Sequence, residues 1–432
     1  MNLGWQEPIE GLGCYSFLLK IFIMNIIELY RRSYSGLAPQ VWLLALITLI
    51  NRTGSMVLPF LSIFLSAEKG YSLSMTGLIM TAFGVGSFFG NWIGGVLADK
   101  MGPFRLQFWS LVLSAFCYIS LMWLEGPWLF ALGLFVTSLV AEAFRPANMA
   151  SIALLAKPEN RSKAVGLIRL AVNLGFGLGP AVGGFLANNY GYDWLFIIDG
   201  STCFLAGICF LLFFSKHFSG EGKRVRQAVS ELTEKPHLRQ VLKDKLFVFF
   251  LVLIFLYGLV FMQYFHSVPV YFKKGLGLEE DYIGILMAVN GLLIALVEMP
   301  LIYLLERKGL MRMIALGTAI VSLCFMVLLF GPWVGWAWVS LLLFTFGEIF
   351  SLPFCTTVVM NRSPDHLRGR YMALYGMAFS LCHILAPLMG LGLADIIGFS
   401  GLWILLTVLM LATAYGFYLL KGRMHQEDAL KV

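Results

Sequence analysis

The chain has 432 residues, of which 59% are hydrophobic and 13% charged, with a formal net charge of +7. Soluble domains carry about 25% charged residues, so this composition excludes an ordinary soluble protein and points to one that crosses a membrane many times. The seven cysteines include six inside apolar runs, with no C-x-x-C pair and no His/Cys cluster, so they read as packing residues and not as disulfides or metal ligands.

At about 20 apolar residues per crossing, twelve helices are expected. They fall near 40–66, 74–98, 106–124, 128–156, 164–187, 194–214, 246–272, 281–304, 310–330, 336–360, 371–394 and 398–420. Residues 1–39 form the lead-in. Within it, 1–23 mimic a signal peptide without a small-residue cleavage site after it, Met24 offers a second start, and no function is assigned to 1–23. An even number of crossings puts both termini on one side, and Lys/Arg placement chooses the side. Of 31 basic residues, 25 lie in the terminal segments or the loops after even-numbered spans, while the opposite loops hold only Lys69, Lys273 and Lys274. Both termini are therefore expected in the cytoplasm. The net charge reflects topology and gives no sign of a nucleic-acid partner.

The first span is interrupted by Asn51 and Arg52. A mid-span arginine is costly in lipid, so Arg52 should face a cavity. The stretch has a weak similarity to the E-x-x-E-R-F of proton-coupled oligopeptide transporters. Arg52 matches its arginine, while Thr48 and Asn51 stand in place of the acids, so an anion-binding role for Arg52 is what carries over.

The second span ends in "GGVLADKMGPFR". Gly95 permits close helix approach, and Asp99 stands where the chain leaves the membrane, placed to face a helix N-terminus. These residues resemble the signature of the major facilitator superfamily, G-x-L-A-D-(R/K)-x-G-(R/K)-(R/K). Gly95, Leu97, Ala98, Asp99, Lys100 and Gly102 match, while Pro103 and Phe104 replace the two basic positions. The resemblance covers essentially residues 40–420. It implies an all-α membrane protein of twelve helices in two pseudo-symmetric six-helix bundles, with this motif latching the bundles on the cytoplasmic side. It also implies a monomeric carrier in a bacterial cytoplasmic membrane, driven by a proton gradient without a cofactor.

The fourth span places Glu142 and Arg145 at i and i+3, on one helix face. Two readings stand: an internal salt bridge, or Arg145 joining Arg52 around an anionic group while Glu142 responds to protons. In the fifth span, Gly166, Gly175, Gly179, Gly183 and Gly184 make a smooth face and Pro180 bends it. The spacing G-x8-G-x3-G-P-x2-G-G resembles the antiporter motif of drug:proton exporters in the same superfamily, with Gly175, Gly179 and Pro180 as gating positions. Arg169 and Asn173 share a face of this helix, with Arg169 near its end and able to snorkel. Asp199 in the sixth span and Glu298 in the eighth are near span ends, where water is the simplest partner.

The polar stretch 215–245 carries eight Lys/Arg against four Asp/Glu and reads as a cytoplasmic linker between an N-terminal bundle, 40–214, and a C-terminal bundle, 246–420, with 421–432 as a tail. The halves repeat: "GLIM" at 77–80 returns as "GILM" at 284–287, Asp99-Lys100-Met101-Gly102 as Glu306-Arg307-Lys308-Gly309, and Glu142 as Glu348, 206 residues on. Internal repeats with a mid-membrane site between them are a transporter layout. Glu306 and Arg307 join the gating set. Glu348, in the tenth span, has no basic neighbour in sequence; a desolvated acid of this kind suits a proton carrier, so Glu348 and then Glu142 are the coupling candidates. Tyr257, Gln263, Tyr264 and His266 in the seventh span are candidate solute contacts, and His383 in the eleventh reads as an interior histidine.

The expected function is proton-coupled export of a small amphipathic solute, a drug-like compound or small peptide. Import of peptides or another nutrient, and lipid-headgroup translocation, are the alternatives. No nucleophile–base pair or metal cluster has the spacing of an enzyme.

Overall fold

In the computed structural model of the protein, the described residues are 35–157, 160–218, 239–305, 309–364 and 367–429. The lead-in through residue 34, linker residues 219–238, and the expected gating residues Glu306 and Arg307 lie outside them. Among the described residues there are helices and no strands.

Eleven helical runs are long and apolar enough to cross a bilayer, from Pro39–Glu68 to Gly369–Lys421. The last has 53 residues, which at about 1.5 Å each would be far longer than a hydrocarbon core of about 30 Å. Gly398, at φ 70° and ψ 169°, breaks it; this is backbone that glycine reaches without strain. The run is thus long enough for two crossings, 369–397 and 399–421, which makes twelve among the described residues.

Helix packing repeats between the halves. The third span meets the sixth through Phe104 stacked on Phe214 at 5.4 Å, and the ninth meets the twelfth through Phe325 stacked on Trp403 at 5.8 Å. The first lies against the fifth, where a Cβ on Gly175 would fall 2.4 Å from the Arg52 Cβ. Its counterpart, the seventh, meets the eleventh through Gln263 Nε2 donating to the Ala386 carbonyl at 2.7 Å. Large apolar side chains such as Trp92, Phe116 and Leu212 stay exposed, as a lipid-facing perimeter requires.

The two halves touch most closely along two helix pairs, where small residues let them, and the first span also meets the seventh. A Cβ on Gly77 would meet the Pro387 carbonyl at 2.6 Å, and one on Gly84 the His383 carbonyl at 2.5 Å, fixing the second span against the eleventh. In the other pair, Gly184 lies against the Glu280 carbonyl, Gly284 against that of Pro180, and Gly291 against the Gly177 Cα, within 2.3–2.5 Å of an added Cβ. The same face of the second span continues to Gly95 and that of the eleventh back to Gly376, yet an added Cβ at either meets nothing within 4 Å. The second and eleventh spans are therefore joined at the Ser74 end of the molecule and splayed at the Asp99 end.

Polar bonds tie the joined end, and one ion pair between the halves, Arg169 with Glu298, lies farther toward the Asp99 end. Ser74 Oγ donates to Asp395 Oδ2 at 2.6 Å. Tyr192 donates to Glu280 Oε1 at 2.7 Å, and Lys273 Nζ to Glu280 Oε2 at 2.9 Å. At the splayed end, Gly102 at φ 91° ends the second span, and Asp99 and Lys100 are exposed; among the described residues no ion pair closes on either.

Candidate functional site

Three spans lose their helical register near the same depth. The first is broken between Thr53 and Val57, where Gly54 is a poor helix former and Pro59 leaves the Ser55 carbonyl without its i+4 donor. The fourth is interrupted at Ala143, where Pro146 does the same to the Glu142 carbonyl. The seventh is interrupted at Met262. These breaks aim polar side chains inward, where irregular backbone is tolerated because it lines a cavity.

Two adjoining cavities result. The larger, about 280 Å³, lies between the halves, and its lining includes Arg145, Asn173, Tyr264, His266, Asn290, Glu348 and His383. The smaller, about 110 Å³, runs into the N-terminal half beside Asn51, Arg52, Glu142, Arg145, Asp199 and His383. Leu58, Phe83, Arg145, Phe176 and His383 line both, so the two form one hollow.

Within it, Arg145 Nε lies 3.4 Å from Glu142 Oε2, and Asn91 Nδ2 donates to the same oxygen at 3.3 Å. The i,i+3 ion pair that the spacing allowed is formed, with the Arg145 side chain still 58% exposed to the hollow. The Arg52 guanidinium lies over the Phe176 ring at 5.8 Å, a cation–π distance, and its Nε is buried without a hydrogen-bond partner. One oxygen of Glu348, Oε2, is likewise buried and unpartnered, as are the Nδ1 atoms of His266 and His383. Buried polar atoms are normally satisfied, so these four atoms mark where water, protons or a solute complete the site.

The remaining sequence candidates divide. Asn173 and Tyr264 line the larger cavity, the latter stacked on Phe344 at 3.8 Å. Tyr257 and Gln263 line neither cavity, correcting their expected role as solute contacts. Tyr257 is fully buried and shares a hydrogen bond with Ser351 at 2.7 Å, while Gln263 is spent on the Ala386 carbonyl and Ser267. Arg169 does not snorkel to water, nor is water the partner of Glu298: the two form an ion pair between the fifth and eighth spans. Asp199 is not at a wet span end either. It is 2% exposed and accepts from the backbone N–H groups of Met56 and Val57 at 2.9 and 3.0 Å. Gly175 and Gly179 pack on the first span while Gly177 and Gly184 pack on the eighth, and the Pro180 carbonyl abuts Gly284.

Sequence reasoning passed over Asn290, which donates to Thr345 Oγ1 at 2.9 Å, and the apolar lining of Met80, Phe83, Phe176, Met262 and Met287. Nothing distinguishes the apolar ones from lipid-facing residues in a chain this apolar, whereas Asn290 is a lone amide in an apolar run and could have been picked out. Among the described residues no group of His, Cys, Asp and Glu has metal-site geometry.

The fold has many solved counterparts. A mutant of the peptide transporter POT in complex with alafosfalin superposes with a TM-score of 0.74 over 90% of this chain and 96% of that one, at 16% identity. A D-xylose-proton symporter gives 0.71 over 88% and 96%, at 15% identity. In sequence, a Na(+), Li(+), K(+)/H(+) antiporter of Planococcus maritimus is 24% identical over 368 residues, 78% of this chain and 85% of that protein. Multidrug resistance protein MdtH of Aeromonas salmonicida is 22% identical over 406 residues, 90% of this chain and 96% of that protein. The sequence profile of the Major Facilitator Superfamily matches residues 41–387. The chain, with its repeated halves around one polar hollow, belongs to the Major Facilitator Superfamily.

Proposed function

We propose that this transporter moves a small amphipathic solute by alternating access, coupled to protons, and works as an exporter exchanging solute for protons. The observation that carries the reading is Glu348: an acid with a buried, unpartnered oxygen in the same cavity as the half-exposed Arg145. An acid so placed takes a proton when the cavity is empty of cations and gives it up when a cationic group or Arg145 approaches. The methionine and aromatic lining suits the apolar part of the solute, and Arg52, Arg145 and Glu348 its charges. The fifth-span glycines, the antiporter named among the relatives and the multidrug resistance protein support the exchange direction.

The proposed orientation, supported by the basic bias, has both termini in the cytoplasm, with the N-terminal bundle at 40–214, the linker at 215–245 and the C-terminal bundle at 246–420. On that orientation the splayed Asp99 end faces inward, and the hollow is open to the cytoplasm. A second reading, proton-coupled import of peptides, is favoured by Arg52, which stands in the hollow where the first-span similarity places an anion-binding arginine.

The test is transport in proteoliposomes under an imposed pH gradient, with ethidium, a dialanine peptide, or sodium, lithium and potassium chloride as separate probes. Movement of any probe that follows the gradient, cut by Glu348→Gln, supports coupling, and the direction relative to the protons separates exporter from importer. Transport indifferent to the gradient removes proton coupling, and an unaffected Glu348→Gln variant removes Glu348 from it.

A further inference from the structure

Asp199 is a buried acid that the proposed cycle does not use. Its carboxylate reaches the break in the first span, with Oδ1 accepting from Met56 N–H and Oδ2 from Val57 N–H. The sixth span also grips the near side of that break, where Asn51 Nδ2 lies 3.3 Å from Cys203 Sγ. Between the two grips a Cβ on Gly54 would fall 1.7 Å from Thr202 Oγ1, so the helices are pressed together there. Arg52 stands in the last turn before the break.

The other half of the molecule shows the same feature without an acid. Met262, 206 residues after Met56, marks the break of the seventh span. Its N–H keeps an ordinary helical partner, the Gly258 carbonyl, at 3.0 Å, and that break is one residue wide. The sixth span repeats in the twelfth 207 residues on, with buried Phe196 and Phe210 matched by buried Trp403 and Phe417, so the buried Leu406 stands where the acid would be. The wider opening at 54–56 therefore accompanies the carboxylate. Met56 N–H reaches no residue at i−4; besides Asp199 it meets only the Gly54 carbonyl, at 2.7 Å. A charged carboxylate is a strong acceptor for two backbone N–H groups, and a neutral acid a much weaker one.

We propose that Asp199 is a second proton-exchanging acid and a positioning residue: charged, it holds the first span open at the break, and protonated, it releases Met56 and Val57 and with them the orientation of Arg52. The proton comes from and returns to water in the smaller cavity, which Asp199 lines. The groups that face it there are Arg52 on the first span, Tyr118 on the third, Glu142 and Arg145 on the fourth, Cys203 on its own span and His383 on the eleventh. No ion pair fixes Asp199 among the described residues, so its charge is free to respond to pH and to an anion arriving at Arg52. The inference extends the proton-coupled cycle but is tested without any solute.

The experiment is hydrogen–deuterium exchange on the full chain in lipid nanodiscs, read on peptides covering 53–60 and corrected for the intrinsic pH dependence of exchange. Between about pH 8 and about pH 5 the Met56 and Val57 amides should lose protection by about tenfold, the scale of a charge-assisted hydrogen bond. Asp199→Asn should exchange fast at both ends of the range, and Glu348→Gln should keep the wild-type response. A flat wild-type profile overturns the proposal without recourse to any variant. So does a response that survives Asp199→Asn, or one that vanishes in Glu348→Gln. Failure of the transport assay leaves this readout untouched.

Discussion

Removing either partner of the ion pair between the fifth and eighth spans should harm the fold by very different amounts. The Glu298 side chain is 7% exposed and that of Arg169 is 47% exposed. Arg169→Ala strands a buried carboxylate, which typically costs about 3–5 kcal/mol. Glu298→Gln leaves a half-exposed guanidinium, a loss of about 1 kcal/mol or less, in the range of exposed pairs. The double variant removes both charges and should lie near the glutamine variant, giving a coupling of about 3–5 kcal/mol. Thermal unfolding of the four proteins in one detergent, followed by tryptophan fluorescence, supplies the order. Equal losses in the two single variants, or a double variant as weak as Arg169→Ala, would refute the assignment of Glu298 as the buried, dependent member.

At the end of the tenth span, burial works against the Asp244 carboxylate, but hydrogen bonds from Arg362 and the Phe247 N–H, with the Arg362 charge and Tyr371, outweigh it and hold it below the usual carboxylate range. A depressed acid stabilises the fold above its unfolded value of about 3.9, and that contribution is lost as pH falls through the folded value. Asp244→Asn should therefore lower Tm at neutral pH and flatten the decline in acid; an unchanged acid limb would count against the brace. At the joined end, cysteines introduced as Ser74→Cys with Asp395→Cys should cross-link on mild oxidation, and adding Gly84→Leu should reduce the yield several-fold, since the helix backbones can no longer meet. Undiminished cross-linking in the triple variant would show that the glycine does not set the approach.

Much of this was legible because lipid makes charge conspicuous. Arg52, Arg145, Glu142 and Glu348 are rare events in apolar runs, and the 206-residue repeat tied two of them together before any coordinates. The crossings among the described residues followed from length and hydropathy, and Gly398 breaks the chain one residue past the gap expected between the last two. What stayed hidden depends on rotation about a helix axis. Tyr257 and Gln263 are close in sequence to Tyr264 and His266, yet the first pair points into the bundle and the second toward the hollow, and Gln263 and Tyr264 are separated only by the turn of about 100° between neighbours on one helix. Pairings across helices, such as Arg169 with Glu298 or Asp199 with the Met56 amide, join residues 129 and 143 positions apart and leave no local spacing to read.

Gly95 and Gly376 sit bare on facing surfaces with open space before them. Two rods that touch at one end and carry smooth, unoccupied strips at the other can roll from one contact to the next without rebuilding either rod. If the halves rock as proposed, a side chain as small as a valine on both strips would act as a wedge under a seesaw, leaving the molecule able to load from one compartment and unable to tip toward the other.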